Sequence, residues 1–221
     1  FDVDQEWENA LVPANLERDQ EEACKKAEAE LQKAVDTLKF TKSDASSGRN
    51  IGELEKDITK KEKIESVITS HDINCIVNCA AYTDVDGAEI EKEKADDLND
   101  NAIKNLVEIS ETYKLRLIHI STDYVYNGIN KSAISEYEYV NPQNYYGVSK
   151  LNGEKHIENS ISESIVIRTS WLYSSFGKNF VKTIIEKSKS KDLLKIVGDQ
   201  YGCPTNAYDL ANAIMQIIKS C

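Results

Sequence analysis

Leu115-Arg116-Leu117-Ile118-His119-Ile120-Ser121-Thr122-Asp123-Tyr124 decides the fold. Its first six residues have the short, apolar, β-branched character of a buried parallel strand, and the run ends abruptly in hydroxyl and carboxylate side chains. Open α/β sheets bind ligands outside the carboxyl ends of their strands, so polar groups at that point are candidate chemistry. Twenty-four residues after Thr122 comes Tyr146-Gly147-Val148-Ser149-Lys150, behind an Asn141-Pro142 turn suited to starting a helix. At a spacing of four, Tyr146 and Lys150 share one helix face.

That spacing has a chemical use. A phenol with an ordinary pKa near ~10 exchanges protons poorly at neutral pH unless its anion is stabilised, and a nearby ammonium does this. The expectation is a phenol made acidic by Lys150, with the Thr122 hydroxyl aimed at the same carbonyl oxygen and Tyr146 as general acid. A Tyr-x-x-x-Lys pair by itself carries little, because a chain with 11 tyrosines and many lysines holds about one by chance. Its company decides the matter.

Working outward, Thr59–Ser70 suits a helix and Ile73–Cys79 a buried strand, followed by Ala80-Ala81-Tyr82-Thr83. A long helix is expected over Glu93–Tyr113, with Leu98, Ile103, Leu106, Val107 and Ile109 on its apolar face, while a mid-helix asparagine such as Asn99 is more often a residue of the polar face. Ser164–Arg168 reads as another buried strand, Phe176–Val181 as the opening of a helix, Leu194–Val197 as a short strand and Asp209–Lys219 as a helix. Strands alternating with helices predict an α/β fold over residues 51–221, a Rossmann-like parallel sheet with flanking helices. Cys75 and Cys79 fall on one face of the expected strand and read as buried structural thiols. His71, His119 and His156 are scattered, so neither a metal site nor a histidine-centred triad is expected.

Residues 1–50 differ. From about Asn15 to Leu38, Cys24, Ala27, Leu31, Ala34 and Leu38 repeat at helical spacing, and Ser43–Asn50 reads as a linker. This predicts a helical extension that packs on the α/β body, pairs as a coiled coil or is only partly ordered. Within these 50 residues stand 12 acidic and 7 basic side chains, a solvated face. The net charge of −11 and the lack of a basic run argue against a nucleic-acid partner. Five cysteines, an odd count, suit a reducing cytoplasm, and no apolar run approaches the ~20 residues of a membrane span.

In order and spacing, His119-Ile-Ser-Thr-Asp-Tyr-Val-Tyr126, Asn141-Pro142, Tyr146-Gly-Val-Ser-Lys150-Leu-Asn-Gly-Glu154 and Ile167-Arg-Thr-Ser-Trp-Leu-Tyr173 resemble the extended short-chain dehydrogenase/reductase superfamily. More narrowly, roughly residues 53–213 resemble the dTDP-4-dehydrorhamnose reductase family, with Asn78–Glu89 and the Gly202–Thr205 turn also matching. The resemblance implies reduction of the 4-keto group of a dTDP-linked 6-deoxy sugar by NADPH or NADH. It assigns catalysis to Tyr146, Lys150 and Thr122, and the cofactor to Asp57, Ile58, Ala81, Tyr82 and Thr83 together with Tyr146 and Lys150. Thr122, Asp123 and Trp171 would meet the nucleotide sugar, and Asn99 would hold the catalytic helix or a water in place.

The same scaffold also serves a non-catalytic role in the regulatory β subunit of methionine adenosyltransferase. In that alternative residues 1–45 bind a protein partner. A homodimer is a further possibility. Dinucleotide-binding folds normally open with a strand, a glycine-rich turn and a helix whose amino end holds the pyrophosphate. No such unit is legible before Asp57, so the sheet is expected to be incomplete at its N-terminal strands and cofactor affinity to be weak; an inactive truncated family member is the third reading.

Overall fold

A computed structural model describes residues 58–70, 73–129, 132–176, 179–190, 193–196, 198 and 200–220. The expected extension and linker of residues 1–50, their possible partner contacts and Asp57 lie outside the described residues. Three parallel strands, β1 (Cys75–Asn78), β2 (Arg116–Thr122) and β3 (Ser164–Thr169), lie side by side in that order. The register runs from Cys75 opposite Arg116 to Asn78 opposite His119, and from Leu117 opposite Ser164 to Thr122 opposite Thr169. Paired along both edges, β2 is the central strand, and Leu117, Ile118 and His119 within it are fully buried.

Parallel neighbours need long crossovers, and helices supply them. α1 (Lys61–Ser70) precedes β1, while α2 (Val85–Ile90), α3 (Lys92–Asp96), a π turn (Asp97–Asn101) and α4 (Ala102–Tyr113) lead from β1 to β2. Asp84 caps α2 by accepting from Gly87 N at 3.0 Å, and α4 stops where Lys114 turns left-handed at φ 55°. A 3-10 turn (Asp123–Val125) and α5 (Tyr145–Glu158) connect β2 to β3. After β3 come β4 (Leu172–Tyr173), α6 (Phe180–Ser188), β5 (Thr205–Asn206) and α7 (Ala207–Ser220).

The apolar stripe of α4 meets the sheet through Ile103, Leu106 and Val107, which pack on Leu117 and on Ile157 of α5. Ile109 joins Leu115 and Ile68 of α1 in an adjoining cluster. Each such side chain contributes roughly 1.5–3 kcal/mol when fully buried. A third cluster joins Ala88, Ala95 and Tyr146, with Tyr82, Val85 and Tyr145 against it. This third cluster seats the start of α5 beside the segment that leaves β1.

Several expectations require correction. β1 ends at Asn78, so Cys79 lies exposed beyond the strand instead of sharing a buried face with Cys75. The helix expected over Glu93–Tyr113 is interrupted by the π turn, which inserts an extra residue and brings Asn99 fully into the interior. Leu194–Ile196 form no strand, and Ile196 is 54% exposed. The backbone that makes a second ladder there is Thr205–Asn206, paired parallel with Leu172–Tyr173. Thr205 N donates to Ser170 O at 3.1 Å and Ser170 Oγ to Cys203 O at 2.6 Å, fastening that turn to the end of β3.

Candidate functional site

Thr122 is the last residue of β2, and its extended backbone makes it the cap of the 3-10 turn: Oγ1 accepts from Tyr124 N at 3.2 Å and lies 3.3 Å from Asp123 Oδ1. α5 begins beside it because Asn144 accepts from Gly147 N at 2.8 Å. Gly147 is required by contact: a Cβ there would stand 2.3 Å from the Tyr124 carbonyl oxygen. That close approach buries Tyr146, edge-on to Tyr124 with ring centroids 5.7 Å apart, and sets its phenol toward the Thr122 hydroxyl.

Burial pushes the Tyr146 phenol above its ordinary value, the Thr122 hydrogen bond draws it part of the way back, and Asp123 and Tyr124 raise it again. The expectation of a phenol made acidic by its neighbouring amine is thus reversed in direction. Lys150, 1% exposed, directs its amine to the other side, donating to Ile120 O at 2.8 Å and lying 3.1 Å from His119 Nε2. Burial lowers that amine to about 8, against the opposing pull of Glu154 and Cys79. After its two contacts one N–H is left for a ligand hydroxyl.

Asn99 joins the segment after β1 to α5. Its Oδ1 accepts from Tyr82 N, its Nδ2 donates to Tyr82 O and to Ser149 Oγ, and Ser149 Oγ in turn donates to Tyr146 O at 2.8 Å. Gly153 lets α5 close on the π turn, since a Cβ there would meet the Asn99 carbonyl oxygen at 2.2 Å. Tyr82, half-buried, also donates its hydroxyl to Glu91 Oε2 at 2.9 Å. Ala81 is half-buried and Thr83 exposed on the same run.

Two groups that sequence reading left without a role complete the surroundings. Glu154, 1% exposed, accepts from Ser121 Oγ and takes Arg168 Nη2 at 2.6 Å and Nε at 3.1 and 3.2 Å. Arg168 Nη1 donates to Tyr126 OH at 2.8 Å. Glu154 shares the face of Lys150 at a spacing of four, and Arg168 is the one charge inside an apolar strand; these were the available signals. His119, fully buried, also lies 3.0 Å from Asn78 Nδ2 through its Nδ1.

Thr122, Asp123, Tyr146, Lys150, Tyr82 and Asn99 therefore converge at the carboxyl edge of β1 and β2. Asp123 is half-buried, and that burial raises its carboxyl above the ordinary range. Trp171 lies two residues past Thr169, the ladder partner of Thr122, hence on the same edge. It holds a left-handed φ of 45°, is 41% exposed, and lies so close over Gly202 that a Cβ there would be 2.7 Å from Cε2. Such backbone costs about 1–3 kcal/mol and clusters at ligand sites. Ile58 is in the turn before α1.

The donor set suits a nicotinamide nucleotide: a spare lysine N–H and a phenol stand beside partly open backbone at Ala81 and Tyr82. Among the described residues no cluster of three potential metal ligands occurs, and no helix is long and apolar enough to cross a membrane.

A parallel sheet with a threonine at the end of its central strand and a Tyr-x-x-x-Lys helix beside it defines a Rossmann-like domain of the short-chain dehydrogenase/reductase kind. The family model described as RmlD substrate binding domain matches residues 25–221, and the chain belongs to that family. It is 39% identical over 165 residues to a dTDP-4-dehydrorhamnose reductase of Aggregatibacter actinomycetemcomitans, covering 75% of this chain and 56% of the relative. It is 34% identical over 163 residues to the Escherichia coli K12 dTDP-4-dehydrorhamnose reductase, covering 74% and 54%. Among solved structures it resembles a Bacillus anthracis dTDP-4-dehydrorhamnose reductase in complex with NADP, at 37% identity and a TM-score of 0.71, covering 74% of this chain and 58% of that one. The chain thus spans little more than half the length of these relatives.

Proposed function

We propose that the chain reduces the 4-keto group of dTDP-4-dehydro-6-deoxy-L-mannose (dTDP-4-dehydrorhamnose) to give dTDP-L-rhamnose, using NADPH or NADH. The observation that carries this reading is the buried Tyr146 phenol set toward the Thr122 hydroxyl at the carboxyl edge of the sheet, with Lys150 one helical turn behind. When bound, the reduced nicotinamide supplies the hydride. Tyr146, whose proton is held by burial across neutral pH, donates it to the oxygen that becomes the new hydroxyl, and Thr122 donates to the phenolate left behind. The spare N–H of Lys150 holds a ribose hydroxyl. Asp57, Ile58, Ala81, Tyr82 and Thr83 line the cofactor, Asp123 and Trp171 contact the nucleotide sugar, and Asn99 fixes the backbone of Tyr82 against α5.

The names of the relatives support the same substrate class, and the B. anthracis complex supports NADP. The thiols of Cys79 and Cys203 suit the cytoplasm. The test is to supply the keto sugar with each nicotinamide and follow loss of the reduced-cofactor absorbance together with the sugar product. Y146F is expected to turn over about 10²–10⁴-fold more slowly while unfolding in urea as the parent does. A parent chain no faster than Y146F would overturn the reading.

A further inference from the structure

Lys150 stands at one end of a buried polar chain that proton donation by Tyr146 does not use. At the other end, Asn78 Oδ1 accepts from Ala80 N at 3.1 Å. That contact fixes the amide, because turning it over would set two donors against each other. Asn78 Nδ2 is therefore the donor at 3.0 Å from His119 Nδ1, and that ring nitrogen is an acceptor. A neutral imidazole with Nδ1 unprotonated carries its hydrogen on Nε2, and Nε2 lies 3.1 Å from Lys150 Nζ.

We propose that Asn78 and His119 are positioning residues for Lys150: the amide sets the ring tautomer, and the resulting Nε2–H is aimed at Nζ, so the chain lowers the proton affinity of the lysine amine. In its neutral form the amine accepts from the ring, donates to Ile120 O and keeps one N–H for a ligand. An ammonium in the same place would face the ring donor to donor. The other groups acting on Nζ do not remove the effect. Glu154, one turn on in α5, has its carboxylate engaged by Arg168 and Ser121, and Cys79, just past β1, is a thiol with an elevated pKa. A doubly protonated ring is disfavoured because burial, then Lys150, holds His119 well below its ordinary value.

Use of this device in catalysis rests on the reductase reading, where Lys150 holds the ribose; the tautomer does not. The experiment is a long-range proton–nitrogen correlation spectrum of the imidazoles in the nitrogen-labelled 221-residue chain at neutral pH, with His119 assigned by its loss in H119Q. An Nε2–H ring is expected, and an Nδ1–H or doubly protonated ring overturns the proposal. N78D supplies only acceptors to Nδ1, so the proton should move there and Nε2 should accept from the lysine. The Lys150 proton affinity, read from its Cε shift against pH, should rise at least tenfold more in N78D than in the N78D/H119Q double variant, where only the added charge acts. Equal rises overturn the proposal. An inactive chain with the Nε2–H ring sinks the reductase reading alone, and an active chain with the other tautomer sinks this one alone.

Discussion

Asn99 serves the backbone of Tyr82 as a neighbouring strand would, accepting from its N–H at 2.9 Å and donating to its carbonyl at 3.0 Å. The same amide reaches Ser149 on α5, so one side chain sets the distance between the segment after β1 and the helix that carries Tyr146 and Lys150. N99A would orphan both Tyr82 groups. A loss of about 1–3 kcal/mol per orphaned group is expected in urea unfolding. Hydrogen exchange should locate it: the Tyr82 amide should exchange faster while those of Leu117 and Ile118 change only with global stability.

Glycine to alanine inside an exposed helix usually stabilises by roughly 1 kcal/mol. In α5 the sign should reverse at both Gly147 and Gly153, whose added Cβ would meet the Tyr124 and Asn99 carbonyl oxygens at 2.3 and 2.2 Å. Each is backbone and cannot swing aside, so G147A and G153A should each cost about 1–3 kcal/mol. G147A should also separate Tyr146 from Thr122. Thermal unfolding of the two variants, with turnover measured beside it, checks both expectations.

Removing one partner of a buried ion pair costs more than the pair contributes, because the other charge is left uncompensated. E154A strands the Arg168 guanidinium, whose side chain is 19% exposed, and is expected to cost about 3–5 kcal/mol. E154Q keeps an acceptor for Ser121 and should cost less. Urea midpoints that rank parent above E154Q above E154A would bear this out; equal midpoints would show that the pair holds nothing together.

Lys150 gives a pH dependence of stability with a fixed sign. Its amine is held at about 8 in the fold and recovers its ordinary 10.5 on unfolding, so the unfolded chain binds the extra proton between those values. Its contribution to stability is complete above 10.5, is lost as pH falls toward 8, and then levels off. His119, also depressed, adds a second loss as pH falls below 6.5. Tyr146, raised, acts in the opposite sense above pH 10. Unfolding free energies between pH 8 and 10 should rise with pH in the parent and lose that slope in K150M.

Much of this arrangement was legible before the coordinates. The apolar run at Leu115–Ile120, its polar end at Thr122 and the four-residue step from Tyr146 to Lys150 are local patterns, and local patterns survive in sequence. The buried polar network did not show itself, because its members meet only through tertiary contact. Asn78 and His119 stand 41 residues apart, and Asn99 and Ser149 stand 50 apart. His119 looked like one of three scattered histidines because nothing in a strand's own sequence says which polar residue has found a partner. The π turn was hidden for a similar reason: the pattern over Glu93–Tyr113 fits an unbroken helix, and only the contact with α5 draws Asn99 inward. The direction of the Tyr146 shift was missed because spacing along a helix fixes the neighbour but not where its amine points.

The crossover from β2 through α5 carries nearly all of the proposed chemistry in one uninterrupted span: His119, Ser121 and Thr122 on the strand, Tyr146, Lys150 and Glu154 on the helix. Such a block can be exchanged as a unit. In chimeras between this chain and a relative, junctions that fall before Arg116 and after Glu158 would transplant the reacting groups as a set, whereas a junction in the open loop between Tyr126 and Asn144 would divide the threonine of one parent from the tyrosine of the other.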